Sequence, residues 1–252
     1  MMKLSIAQLL LCCAALSAAA PACTAPETPN APVLPRTGNA KDLPPPPDNV
    51  SLKYIALGFG IQNYTCHSRG SPPVATGALA MLYNITHLYP HQSFSSLSPS
   101  DFAQVPAWAL AEREPPLNRN TSGYGRVDPS SPGASLSRPF PPDAPLKLSG
   151  LPLLPFLGHH FFDAQGVPTF ILDHGRVQLP TTKVAGVPPP TNADPGPQGT
   201  GAVNWLYLGP KPGAVGAQYV YRVNTAGGAS HGCDTATGDD STSYAATYWF
   251  YG

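Results

Sequence analysis

Proline and glycine constrain this chain more than any other residues: it has 33 prolines and 24 glycines in 252 residues. Together they reach about twice the usual ~12%. Each proline removes a backbone donor and fixes φ, so long helices are disfavoured and turns must be many. Hydrophobic residues still make up 42% of the chain, enough for one core. The length suits one all-β domain or two small domains.

Charge excludes several classes of function. Lys and Arg number 14, Asp and Glu 14, and charged residues are 11% of the chain. Nucleic-acid binding needs clustered Lys and Arg against phosphate, and no such cluster exists. No run of like charge suggests an acidic tail or a polybasic membrane patch.

Residues 1–19 read as a secretory signal peptide. Lys3 supplies the positive start, Ile6 to Leu16 the apolar centre, and Ser17 to Ala20 the small residues before cleavage. Pro21 disfavours cutting just before it, so cleavage is expected after Ala19, with Ala22 the second choice. No later apolar stretch reaches the ~18 residues of a membrane span, so a soluble, secreted, extracellular protein is expected. Four sequons fit that route, at Asn49, Asn63, Asn84 and Asn120. Cys12 and Cys13 would leave with the signal peptide. Cys66 and Cys233 lie in strand-and-turn segments at the two ends of the core and are paired here as a disulfide. That leaves Cys23 free or joined to another chain.

Residues 20–49 read as a Pro-rich linker ending in Pro44 to Pro47, and residues 50–252 as a single β domain. Residues 53–66 alternate as a strand, with Ile55, Leu57, Phe59 and Ile61 on one face. The same parity reaches Asn63, so a glycan there predicts a switch of faces, by a β-bulge near Gly60. Residues 78–86 form a second strand, with Asn84 opposite its apolar face and able to take a glycan. An irregular insertion follows over 87–150. It should hold one short helix capped by Ser98, opened by Pro99, limited by Pro106 and pinned by Trp108 and Leu110. Residues 159–173 read as a hairpin turning at Asp163 to Gly166. After a loop over 188–201, strands follow near 203–207, 219–223 and 244–251, the last buried on both faces. The total, about seven or eight strands with long Pro/Gly-rich loops, predicts an antiparallel β-sandwich or barrel.

Candidate chemistry is thin. Gly228 to Gly232 matches G-x-S-x-G around Ser230, but no His follows His231 and no helix pattern follows the turn. A glycine-rich turn leading to Cys233 explains it better. Gly58-Phe59-Gly60 lacks the third glycine of a dinucleotide loop, because Asn63 stands there. His87, His91, His159, His160 and His174 invite a zinc or copper reading, yet lie at loop or hairpin positions without ligand spacing. A copper brace would need His at the mature N-terminus. Asp163 and Asp173 are the carboxylate pair a glycosidase would use, and both suit turns. Asp234, Asp239 and Asp240 read as an acidic loop without EF-hand spacing. The Tyr and Trp of the last strands suit a core better than a sugar platform. No cofactor, metal site or catalytic residue is therefore assigned.

The runs Ala202 to Leu208, Tyr221 to Gly228, Gly232-Cys233 and Tyr244 to Tyr251 resemble domain-of-unknown-function family 3455. Gln62 to Cys66 and Phe162 to Gly166 are similar to it as well. The likeness covers about residues 50–252, the stretch near 90–150 standing as an insertion. It implies an exported protein, suggests a fungal source and supports the Cys66–Cys233 pair. Fungal members often carry the label malate dehydrogenase, to which this chain's glycine pattern and strand spacing lend no support. The expected function is non-catalytic binding outside the cell, to wall glycan or a host extracellular protein. The alternative is a carbohydrate-active enzyme acting on wall polysaccharide.

Overall fold

Eight antiparallel strands close into a barrel because the first and last of them pair along nearly their whole length. The computed structural model describes residues 31–120, 126–131 and 133–252. The signal-peptide region, Cys12, Cys13 and Cys23 lie outside them. The elements are β1 (Leu52–Cys66), β2 (Val74–Asn84), α1 (Pro99–Glu112), β3 (Phe156–Phe162), β4 (Pro168–Leu172), β5 (Val177–Val187), β6 (Trp205–Pro210), β7 (Tyr219–Gly227) and β8 (Gly238–Tyr251). Each strand pairs with the next, and β8 returns to β1 from Leu52↔Tyr251 to Cys66↔Gly238. Full closure leaves no free sheet edge. Cys66 and Cys233 are bonded, with Cα atoms 5.4 Å apart. Their loop is long enough that chain entropy alone would stabilise the fold by up to ~5 kcal/mol. No helix among the described residues is long and apolar enough to cross a membrane.

Both sides of the sheet are apolar. The lumen holds a cluster drawn from every strand, including Ala56, Leu82, Leu157, Phe170, Leu179, Leu208, Val220 and Tyr248. The outer wall carries Ile55, Leu57, Phe59, Met81, Trp205, Tyr221 and Trp249. The insertion covers that wall with Phe102, Val105 and Ala109 of α1 and with Leu146, Leu148, Leu151 and Leu154. Strands β1 and β8 are therefore buried on both faces.

This arrangement corrects several expectations. The apolar face of β1 is the outside of the barrel, so Asn63 needs no switch of faces. It follows Ile61 on the outer wall, where it borders a groove. The register shift of β1 against β2 falls between Asn63 and Tyr64, beyond Gly60. For the same reason Asn84 continues the lumen parity of Ala80 and Leu82 rather than a solvent face. Ser98 caps α1 as expected, its hydroxyl accepting the Asp101 N–H at 3.1 Å. Pro106, however, lies inside the helix. Burial of Phe102, Val105, Ala109 and Leu110 outweighs the hydrogen bond it forfeits. Trp108 is 37% exposed, whereas Leu110 is buried in the outer cluster and holds the helix to the wall. Strand β5 was not anticipated, because Pro180 and Gly186 mask the alternation of Val177, Leu179 and Thr181. Asp239 and Asp240 belong to β8 rather than to a loop. Leu34 and Leu43 pack against the outer cluster, so part of the Pro-rich segment lies on the barrel instead of apart from it.

Gly60 shows how tightly the wall is drawn. A Cβ there would lie 1.8 Å from the Leu79 carbonyl oxygen, whereas one at Gly77 would meet Phe162 at an ordinary 3.6 Å. Overpacking of this kind typically costs about 1–3 kcal/mol or more. Gly60→Ala should lose at least about 3 kcal/mol in urea unfolding, and Gly77→Ala less than about 1 kcal/mol. Equal losses would show that close approach does not set the glycine requirement.

Candidate functional site

One end of the lumen is filled and the other is open. At the filled end, small residues on β1 make room for rings from β4 and β8. A Cβ at Gly58 would stand 2.4 Å from the Tyr248 ring. Phe170 meets Phe250 and Tyr248 edge-on. His160 stacks on Phe170 with centroids 4.1 Å apart. Its Nδ1 lies 3.0 Å from the Thr169 carbonyl oxygen, which can only accept, so Nδ1 carries the proton of the neutral ring.

Above this floor, toward the C-terminal end of β1, lies a cavity of about 610 Å³. Its apolar wall includes Ala78, Phe162, Val203, Leu206 and Leu208. Its polar groups are Gln62, Tyr64, His160, Lys183, Arg222 and Tyr248, together with Asn204 and Ser230 at the rim. Polar groups converging in an apolar recess are the usual form of a small-molecule site. Arg222 faces the lumen from β7, on the same parity as Val220, and is 8% exposed. Its Nε and Nη2 donate to the Asn204 carbonyl at 3.2 and 3.0 Å, and Nη1 donates to Gln62 Oε1 at 3.4 Å. Tyr64 donates to the Gly228 carbonyl at 2.7 Å. Burial pushes its hydroxyl up to about 12, with Arg222 opposing and Asp240 reinforcing the shift.

The motifs seen in the sequence lie elsewhere or do other work. Gly58 and Gly60 are mid-strand packing positions, not a phosphate loop. Gly228 and Gly232 have positive φ, and the segment is a turn leading to Cys233. Ser230 donates to Asp240 Oδ2 at 2.7 Å, and no His acts as its base. His231 instead places Nδ1 2.7 Å from Asp240 Oδ1 and Nε2 3.2 Å from Ser131 Oγ. That row has the order of an acyl-transfer triad. Yet Ser131 donates to Asp128 at 3.0 Å, is only 5% exposed and does not line the cavity. The cluster ties the insertion to β8. Asp163 accepts the Gln165 and Val167 N–H groups within its turn. Asp173 accepts from the Tyr54 hydroxyl at the other end of β4. The strand Pro168–Leu172 alone separates them by ~17 Å, beyond the ~9.5 Å reach of a glycosidase pair. Among the described residues no three His, Cys, Asp or Glu side chains are placed to hold a metal. Tyr207, Tyr221 and Trp249 are buried, which removes them as a sugar platform.

Arg222, Gln62 and Lys183 were missed because each sits alone in the sequence. The one signal was a lone Arg between Tyr221 and Val223, on the strand face shared with Val220.

His160 makes the lumen sensitive to acid. Burial, helped by Arg222, pushes its imidazole down to about 4 against an ordinary 6.5. The folded state thus refuses a proton that the unfolded state accepts. Stability is complete above about 6.5 and is lost as pH falls toward 4, by about 2 kcal/mol between pH 7 and 5. Urea titrations at both pH values should show this slope, and His160→Phe should remove that share of it. An unchanged slope in the variant would place the titrating group elsewhere.

Comparison with known proteins gives a match to the family described as "Protein of unknown function (DUF3455)" over residues 46–252. No curated protein and no solved structure matches the chain.

Proposed function

The chain belongs to the DUF3455 family, and from that premise we propose that it is a secreted, N-glycosylated binding protein that holds a small organic ligand in the open end of its barrel. The carrying observation is the cavity itself. It is walled by rigid strands, apolar along most of its lining, and furnished with a few buried polar groups. Its volume of about 610 Å³ suits one small molecule. The partners expected from sequence, wall glycan or a host protein, call for exposed aromatic or charged faces. The aromatic residues of the last strands are spent on the two cores, which favours the lumen over the outer surface. Catalysis on polysaccharide has little support, since the only carboxylate pair proposed for it is split by β4.

Ala75 is exposed at the rim and lines the cavity, so Ala75→Trp narrows the mouth without touching the core. Ligand-observed NMR against a panel of small apolar acids, esters, amides and alcohols should find binders, and Ala75→Trp should weaken them at least tenfold at an unchanged melting temperature. Depletion of the protein by chitin, β-glucan or cellulose that Ala75→Trp leaves intact, with no small-molecule binder, would overturn the reading. So would release of sugar from those polymers.

A further inference from the structure

The unusual feature of the cavity is a buried cation with no counter-charge. Arg222 keeps its charge at any pH the fold experiences. Burying a charge without a partner is costly, and buried charges are normally paired. Every hydrogen bond made by Arg222 goes to a neutral acceptor: the Asn204 carbonyl, the Gln62 amide and, more weakly, the Tyr248 hydroxyl. The bonds to Asn204 and Gln62 use three of its five N–H donors. Among the described residues, no ion pair includes it. The cavity lining contains Arg222 and Lys183 but neither Asp nor Glu. The nearby Asp240 carboxylate is already engaged by the Ser230 hydroxyl, the His231 N–H and His231 Nδ1.

Gln62 supplies a second, independent sign. It is 8% exposed and lines the cavity. Arg222 has donors only, so the amide must turn its oxygen to the guanidinium. That leaves Nε2 buried with no hydrogen bond within 3.5 Å, the Tyr244 hydroxyl being its polar neighbour. A buried amide donor without a good acceptor destabilises the fold. A guanidinium with donors to spare and an orphaned amide N–H beside it together describe a place for an anionic acceptor.

Resting on the cavity as the binding site, we infer that its ligand is a small carboxylic acid with an apolar body. The carboxylate is received by Arg222 and Gln62 Nε2, with Lys183 adding positive potential at the rim. A planar, two-oxygen anion matches the guanidinium fork. The apolar remainder lies along Leu206, Leu208, Val203 and Phe162. A phosphate dianion would ask for more donors than this pair offers.

The test is a matched series read by calorimetry: butanoate, octanoate, benzoate and 3-phenylpropanoate, each with its methyl ester, plus phenyl phosphate. At least one acid should bind tenfold or more tighter than its ester, tighter than phenyl phosphate, and more weakly as NaCl rises. Arg222→Gln should erase the acid–ester difference. Because that variant also removes the guanidinium bonds to the Asn204 carbonyl that brace the fold, Gln62→Glu provides a second probe. It sets a carboxylate of the protein opposite Arg222, and should raise the melting temperature while abolishing acid binding. Acids and esters binding alike would overturn the anion anchor and leave the cavity reading standing. No binding by any acid or ester would overturn both. Acid binding retained in Gln62→Glu, or preference for phenyl phosphate, would also defeat the inference.

Discussion

Everything in this protein depends on the seam between β1 and β8. The two strands pair antiparallel over nearly their full length, and the Cys66–Cys233 bond lies beside the end of that seam. Closing a barrel there places two long strands face to face with the lumen. They can share it only if one contributes bulk and the other space. Strand β8 contributes Tyr244, Tyr248 and Phe250, while β1 contributes Ala56, Gly58 and Gly60. The small residues of β1 are the condition on which the aromatic floor, and so the depth of the open cavity, is set.

A barrel this small would ordinarily bury one face of each strand. Here the insertion wraps the outer wall of β1, β2 and β6–β8, and a second apolar cluster forms outside the first. Helix α1 tolerates Pro106 because it is held by that packing rather than by its own hydrogen bonds. On β3 the cover narrows to Phe140 and Asp143 against His159, and β5 carries exposed Thr182, Lys183 and Val184 between its buried positions. His231, bridging Asp240 to the Asp128–Ser131 segment, ties the insertion to β8.

The fold was largely legible in the sequence, and the site was not. Period-two alternation marked β1, β2 and the last strands, and Asp163 to Gly166 marked the turn between β3 and β4. Strand β5 was hidden by Pro180 because proline normally argues against a strand interior. The faces were misassigned for a physical reason. Alternation tells which residues share a side, but an apolar side reads the same whether it lines a lumen or lies beneath an insertion. Asn63 and Asn84 exchanged sides on that account. Arg222 and Gln62, 160 residues apart, carry no local pattern linking them.

From its sequence alone, this chain is bound to be a turn-rich antiparallel β protein with a Cys66–Cys233 bond. Proline disfavours long helices, alternation dictates strands, and the spacing of turns limits how they connect. The turns and strands are local properties of the backbone and its nearest side chains, so the sequence suffices to state them. Closure into a barrel, the inside and outside of its wall, and the gathering of Arg222, Gln62 and Lys183 around one cavity were decided by tertiary structure. Each depends on contacts between strands far apart in the chain, where the free energy comes from excluding water between surfaces rather than from any single segment.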